Sequence, residues 1–433
     1  MKVNVFWFRR DLRLNDNRGL FEALKSEYPV LPLFIFDRNI LDDLEADDAR
    51  VTFIHNQLSG MREQLSALDK GFWVEHGSPE AVWENLLQEF DVQAVFCNHD
   101  YEPYAQKREQ MVIKLLKGKG AVLHTFKDQV IFEKEEILSG AGKPYTVYTP
   151  YSKKWKESLR QSHLTYYNCE ALWDNFLPKS QVPRSFPSLG QMNFKVSSQI
   201  FPSDSPKEQT IRVYDQYRNF PAQPGTTRIG IHLRFGTISI RQLAKKAIEL
   251  NEVYLKELIW REFYMQILWN FPHVVEGPFR KQYERVPWVH DEEAFEKWKQ
   301  GKTGFPIVDA GMRELNETGY MHNRVRMITA SFLVKDLLIN WQWGESYFAE
   351  KLLDFELSSN NGGWQWAAGS GTDAAPYFRI FNPESQMKKF DPKLVYVRKW
   401  VPEFGTPLYP APMVNHKTAR ENTLKVYKEA LGN

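Results

Sequence analysis

Cysteine is nearly absent from this chain, with only Cys97 and Cys169 among 433 residues. Two thiols cannot build a disulfide framework or a four-thiolate metal site, so a reducing, cytoplasmic setting is expected. No apolar run approaches the roughly 20 residues of a membrane span. Met1-Lys2-Val3-Asn4 opens a strand rather than a signal peptide. Neither sign of charge dominates, since 56 basic residues meet 54 acidic ones for a formal net charge of +2. That balance does not announce a nucleic-acid binder, and it does not exclude one, because a local basic patch is enough.

Several common catalytic signatures are missing as well. No G-x-G-x-x-G follows the first strand; Arg9-Arg10-Asp11-Leu12-Arg13 stands there and argues against a dinucleotide site in this half. Gly301-Lys302-Thr303 could end a phosphate loop, but Glu296 occupies the position where that loop needs its first glycine. There is no H-E-x-x-H, no paired C-x-x-C and no G-x-S-x-G, which leaves metal and serine-nucleophile chemistry unsupported.

What the chain has in abundance is aromatic side chains: 14 Trp, 19 Tyr and 29 Phe, with nine of the Trp beyond residue 250. The richest stretch is Asn360-Asn361-Gly362-Gly363-Trp364-Gln365-Trp366-Ala367-Ala368. On a helix, Trp364 and Trp366 point roughly 200° apart, so one can enter a core while the other faces a cavity. The paired Asn and Gly before them suggest polar, closely packed backbone at the same place. A Trp-rich core helix with a polar start fits the segment equally well.

The chain is long enough for two domains with sizeable cores. Residues 1–126 alternate apolar runs, at Val3–Phe8, Val30–Phe36, Phe72–Val74, Ala94–Cys97 and Val122–Phe126, with helical patterns. In one helix, Val51, Ile54, Leu58, Met61, Leu65 and Leu68 recur at steps of three and four. Ser78-Pro79 offers another helix an N-cap and a Pro at N1. Continuous apolar strands between helices imply an α/β domain with a doubly wound, parallel five-stranded sheet. Residues 127–206 read as a long connector, broken at Gly140, Gly142, Pro144, Pro150, Pro178, Pro183, Pro187, Pro202 and Pro206, with a short helix near Tyr151–Arg160. From 207 to 433 strand signals vanish and helical patterns such as Glu257–Trp269 and Asn323–Leu338 take over, giving an all-α domain.

Within that half a constellation emerges from helical spacing. Glu257, Trp260, Arg261 and Tyr264 share one face, as do Asn323, Arg326 and Met327 on a helix whose core side carries Ala330, Val334 and Leu337. A buried Arg326 needs a carboxylate, which Asp354 can supply. Taken singly, a Glu beside a Trp is an ordinary boundary residue, and each Trp is an ordinary core residue.

Four of these stretches together resemble the photolyase/cryptochrome flavoproteins: Glu257-Leu258-Ile259-Trp260-Arg261-Glu262-Phe263-Tyr264, Met321–Leu333, Asn360–Ala368 and Thr372–Pro383. Trp7-Phe8-Arg9-Arg10-Asp11-Leu12-Arg13 fits the same family, and the likeness runs in order from end to end. It is nearest to the class I enzymes that repair cyclobutane pyrimidine dimers.

The resemblance implies an antenna-binding α/β domain over 1–126, a connector over 127–206 and a helical FAD-binding domain over 207–433. It assigns the FAD phosphates to Tyr214 and the Gly225-Thr226-Thr227-Arg228-Ile229-Gly230 loop. The rest of the FAD, active as the reduced FADH−, falls to Arg261, Asn323, Arg326, Asp354, Phe355, Glu356 and Asn360, with Asn360 near the flavin N5. Glu257, Trp260, Asn323, Met327 and Trp366 would form the lesion pocket for a flipped-out pyrimidine dimer, with Arg261 and Tyr264 beside them. Glu257, Asn323, Met327 and Asn360 are the catalytic candidates. Arg218, Arg324, Arg379 and Gln386 would form the DNA rim, and Trp364, Trp341 and Trp288 the photoreduction chain from flavin to surface.

The expected partner is UV-damaged DNA, bound by a monomer that is cytoplasmic and nucleoid-associated on DNA. Folate-using members carry Asn-Glu after the Tyr-Glu pair that here is Tyr101-Glu102, whereas this chain has Tyr104-Ala105, and Glu45 replaces a His. A folate, deazaflavin or flavin antenna, or none, stays open. The short end after the final helix argues against a signalling cryptochrome. The lack of His near Asn323 and Met327 argues against a six-four photolyase.

Overall fold

The computed structural model describes residues 1–182 and 184–432, so Pro183 lies outside the described residues. The chain forms two compact units that interleave along the sequence. Met1–Glu133, Leu159–Asp204 and Ile229–Lys246 make the first; Lys134–Ser158, Ser205–Arg228 and the chain from Ala247 onward make the second. Residues 127–206, read above as a connector, are therefore shared between the two.

The first unit is built on β1 (Lys2–Phe8), β2 (Val30–Asp37), β3 (Trp73–Gly77), β4 (Asp91–Asn98) and β5 (Val122–Phe126). They form one parallel sheet in the order β3-β2-β1-β4-β5. Successive side chains of a strand point to opposite faces. Phe6 and Phe8 accordingly join Phe34, Phe36 and Phe96 on one side, against Leu58, Met61 and Leu65 of the Ala49–Ser66 helix. Val5 and Trp7 join Leu33, Ile35 and Val95 on the other, against Trp83 and Leu86 of the Pro79–Glu89 helix. Burial of both faces is why the central strands β1 and β2 read as unbroken apolar runs. The Ser78 side chain caps the Pro79–Glu89 helix, and Pro79 takes the first turn. Leu68, the last of the periodic series, falls beyond the Ala49–Ser66 helix and is 51% exposed.

Ion pairs occupy the carboxyl end of this sheet. Arg9 contacts Glu109 at 2.6 Å and Cys97 at 3.5 Å, with Trp7 beneath its guanidinium. Arg10 meets Glu102 at 2.9 Å, Arg108 meets Asp37 at 2.9 Å, and the Tyr104 hydroxyl donates to Asp37 at 2.7 Å. The basic motif after the first strand is thus neutralised locally, and burial raises the Asp11 pKa although the Arg9 N–H and the Asn98 amide, both donating to its carboxylate, oppose the rise.

The second unit contains helices and no named strand among the described residues. Its core gathers Trp298, Phe305, Leu315, Val325, Leu333, Trp341, Phe348, Trp364 and Trp400. The Leu357–Ala368 helix sits at its centre, packed by Glu252–Asn270, Asn323–Ser331 and Trp341–Lys351. The helix expected to run from Asn323 to Leu338 is α-helical only to Ser331 and continues as a π-helical turn over Phe332–Asp336. No helix among the described residues is long and apolar enough to cross a membrane.

Candidate functional site

Four helices of the second unit converge on a cavity of about 400 Å³. The Glu252–Asn270 helix begins at Asn251, whose side chain accepts from the backbone N–H groups of Val253 and Tyr254. Its buried face holds Leu258, Ile259, Phe263 and Ile267. The intervening Glu257, Trp260, Arg261 and Tyr264 line the cavity, as their spacing implied. The Asn323–Ser331 helix repeats the logic, with Val325, Ile328 and Thr329 inward and Asn323, Arg326, Met327 and Ala330 on the cavity. Ala330, read above as core, meets both. His322 caps this helix by accepting from the Arg324 N–H at 3.2 Å. Burial, with Arg326 and Arg324 nearby, pushes the His322 imidazole down to about 4, so it stays neutral and can accept.

Charge on the cavity wall is paired. Arg326 reaches both Asp354 oxygens, at 3.0 and 2.9 Å, and donates from Nε to the Met321 carbonyl at 2.7 Å. Burial opposes the Arg326 charge, but Asp354 outweighs it and the pKa ends above the ordinary value. Arg261 pairs with Glu356 at 3.1 Å, both nearly buried. Glu257 is engaged by Arg218, and burial raises its pKa while Arg218 opposes the rise. A carboxyl so placed can accept as carboxylate or donate as acid.

Asn360 donates from Nδ2 to the Glu345 carbonyl at 3.0 Å, so its amide oxygen is the atom left for a ligand. Trp364 and Trp366 both border the cavity. Trp364 is 2% exposed and meets Phe348 edge-on at 4.9 Å, while Trp366 packs on Phe381 at 6.3 Å. The two glycines before them differ. A Cβ on Gly362 would lie 2.2 Å from the Tyr264 ring, so that glycine permits close approach, whereas Gly363 faces open space. Phe355 completes the predicted wall.

Other predicted residues lie outside the cavity lining. Tyr214 meets Tyr254 edge-on at 5.1 Å and carries Arg218 over its ring. Thr226 and Thr227 exchange hydrogen bonds with Tyr320 and Tyr254 at 3.2 and 3.0 Å. Arg228 adopts φ +54° and lies over Tyr320. Ile229 and Gly230 fall in the first unit, so the predicted loop is divided. Arg324 bonds Asn219 at 2.8 Å and sits over Phe390, half-buried. Arg379 is exposed, and Gln386 lies on the Pro383–Phe390 helix. Trp341 is buried at the start of the Trp341–Lys351 helix, and Trp288 is partly buried beside Tyr427 at 6.1 Å.

Several site features had no signal in the sequence. Phe348, Leu352 and Ser359 also line the cavity, two of them ordinary apolar residues. Trp298, fully buried, stands edge-on to Trp364 at 6.1 Å. Glu345, beside Asn360, is pushed by burial up to about 7.

The chain matches the sequence model described as FAD binding domain of DNA photolyase over residues 254–407, which includes nearly all of the cavity lining. It matches the one described as DNA photolyase over residues 4–168. A deoxyribodipyrimidine photo-lyase from Synechococcus sp. is 36% identical, covering 98% of this chain and 96% of that protein. An archaeal photolyase from Sulfolobus tokodaii, solved with two FAD molecules, superposes with a TM-score of 0.85 at 31% identity, over 99% of this chain and 100% of that one. A Synechocystis cryptochrome superposes with a TM-score of 0.86 at 24% identity, over 98% of this chain and 99% of that one, which shows a shared fold.

Proposed function

The chain belongs to the DNA photolyase family and is a deoxyribodipyrimidine photo-lyase with FAD as its cofactor, and from that premise we propose that it repairs cyclobutane pyrimidine dimers in DNA under blue light. The observation that carries this reading is the gathering of paired charges, one free amide oxygen and open aromatic faces around a single cavity.

The donor set fits a flavin. Arg326, held by Asp354, and Asn360 supply fixed polar groups for an isoalloxazine edge, with Phe348 and Leu352 as apolar wall. Bound reduced FAD would supply a photoexcited electron to the dimer and take it back, with no net redox change. Asn360 would steady the N5 edge with an amide, which neither gains nor loses a proton near neutrality. Tyr214, Thr226, Thr227 and Arg228 of the second unit would hold the phosphates.

The lesion would stack against Trp260 and Trp366, because an aromatic face accepts any unstacked base. Asn323 and Met327 would border it, and Glu257 would meet the polar edge of a pyrimidine. For that, Glu257 must be shared with or released from Arg218. Arg218, Arg324, Arg379 and Gln386 would contact the DNA backbone around a dimer flipped out of the duplex. Trp364, Trp341 and Trp288 would relay electrons to oxidised flavin. A second chromophore on the α/β unit would collect light, and a flavin is the first to test given the two FAD molecules of the Sulfolobus protein. The protein would act as a cytoplasmic monomer, associated with the nucleoid when bound to DNA.

Two assays test the reading. Denatured protein should release stoichiometric FAD. The reduced holoprotein should bind dimer-containing oligothymidylate more tightly than undamaged oligothymidylate in the dark. Recovery of no FAD would remove the flavin site. Equal binding of both DNAs would favour a cryptochrome-type photoreceptor without repair activity.

A further inference from the structure

The Trp260 ring is not held by its own helix alone. Tyr148, at the start of the Tyr148–Ser158 helix, lies flat against it, with ring centroids 3.7 Å apart and planes 6° apart. Aromatic pairs in proteins ordinarily meet offset or edge-on at roughly 4.5–7 Å, and Trp260 meets Phe263 and Tyr264 in that ordinary way at 5.5 Å. Full overlap with Tyr148 is the exception, and it needs a reason.

Tyr148 is itself pinned twice. Its hydroxyl donates to the Lys256 carbonyl at 2.8 Å, one turn before Trp260 on the same helix. Its backbone N–H donates to Asp373 Oδ2 at 3.2 Å, while Thr372 bonds the Thr146 carbonyl, tying the start of its helix to the 372–373 loop. The phenol is 9% exposed and forms no part of the cavity wall, whereas Trp260 does. One face of the indole is thus covered by a ring that cannot slide, its edges are bounded by Phe263 and Tyr264, and what remains borders the cavity.

We propose that Tyr148 is a positioning residue for lesion recognition, which fixes the plane of the Trp260 indole before a dimer arrives. The proposal deepens the reading of the cavity as a lesion pocket and rests on it. A stacking platform that must first be ordered binds more weakly, because the ordering cost is met at binding. Pre-ordering should therefore favour the dimer, which uses the Trp260 face, over undamaged DNA, which does not.

The test is dark equilibrium binding of FAD-loaded protein to dimer-containing and undamaged oligothymidylate. Tyr148→Leu should narrow the preference for the dimer about 3- to 10-fold, the range of one aromatic stack. Tyr148→Phe, which keeps the ring, should restore the preference. In a Trp260→Ala background Tyr148→Leu should narrow it no further, because the residue acts through Trp260. Tyr148→Met serves as a second ringless variant should the leucine variant lose its flavin. Full preference in both ringless variants, or an equal loss in the Trp260→Ala background, overturns the proposal alone. A parent protein with no preference for the dimer removes the lesion pocket, and the proposal with it.

Discussion

Gly344 tests the packing around the cavity most sharply. It lies in the Trp341–Lys351 helix, where alanine would ordinarily gain about 0.5–1 kcal/mol from helix propensity and lower chain entropy. Here a Cβ would stand 2.1 and 2.5 Å from two carbons of the Trp364 ring and 2.7 Å from Leu333. Trp364 cannot yield easily, because Phe348 and Trp298 flank it and it is 2% exposed. Overpacking a filled core costs about 1–3 kcal/mol. The net expectation for Gly344→Ala is a loss of about 1–2 kcal/mol, or roughly 2–8 °C in midpoint for a unit of this size. Gly60→Ala is the control, since it too is inside a helix but its Cβ would meet nothing within 4 Å. It should gain up to about 1 kcal/mol. Heating while following flavin fluorescence reports the second unit, and circular dichroism reports the whole. Earlier flavin release in Gly344→Ala and none in Gly60→Ala is expected. Unchanged release in Gly344→Ala would refute the close contact between Gly344 and the Trp364 ring.

Trp364→Phe should abolish light-driven reduction of oxidised FAD but spare repair by chemically pre-reduced protein, since phenylalanine is much harder to oxidise; normal photoreduction would show another route. Arg324→Ala and Arg379→Ala should each flatten the dependence of log affinity for DNA on log salt by about 0.7–0.9, the loss of one phosphate contact, and an unchanged slope removes that arginine from the rim. Glu345, pushed up to about 7 by burial, binds its proton more tightly in the folded state. Stability from this group is full below the unfolded value near 4.5 and is lost as pH rises through about 7. Glu345→Gln should therefore gain on the parent between pH 5 and 8, by up to about 3 kcal/mol; a gap in midpoint that does not grow with pH would show that Glu345 is not buried in its charged form.

The parts of the molecule legible in the sequence were those governed by short-range periodicity. The central strands β1 and β2 announced themselves because both of their faces are buried, leaving no polar alternation to blur the runs, whereas the edge strand β5 is largely exposed and carries His124 and Thr125. The face holding Glu257, Trp260, Arg261 and Tyr264 followed from steps of three and four on one uninterrupted helix. What stayed hidden depends on contacts between residues far apart in sequence. Tyr148 reaches the backbone 108 residues on, and the Trp155 indole donates to buried Glu262 at 2.5 Å, 107 residues on. No local pattern reveals that a stretch rich in proline and glycine will divide between two units. The π turn after Ser331 likewise follows a helical pattern that simply continues in sequence. The family motifs supplied roles that spacing alone could not, and the hydrogen bonds of Thr226 and Thr227 show why: these hydroxyls contact Tyr320 and Tyr254, partners with no trace near them in the chain.

The most direct measurement compares dimer content in light and in darkness. Reduced, FAD-loaded protein is mixed with dimer-bearing oligothymidylate and split between blue light and the dark, with Glu257→Ala alongside. Dimers should disappear only in the light, and Glu257→Ala should lower the yield per photon about tenfold or more, as expected for losing a hydrogen bond from a charged group. Persistence of the dimers under light, with FAD bound and reduced, would contradict light-driven repair by this protein.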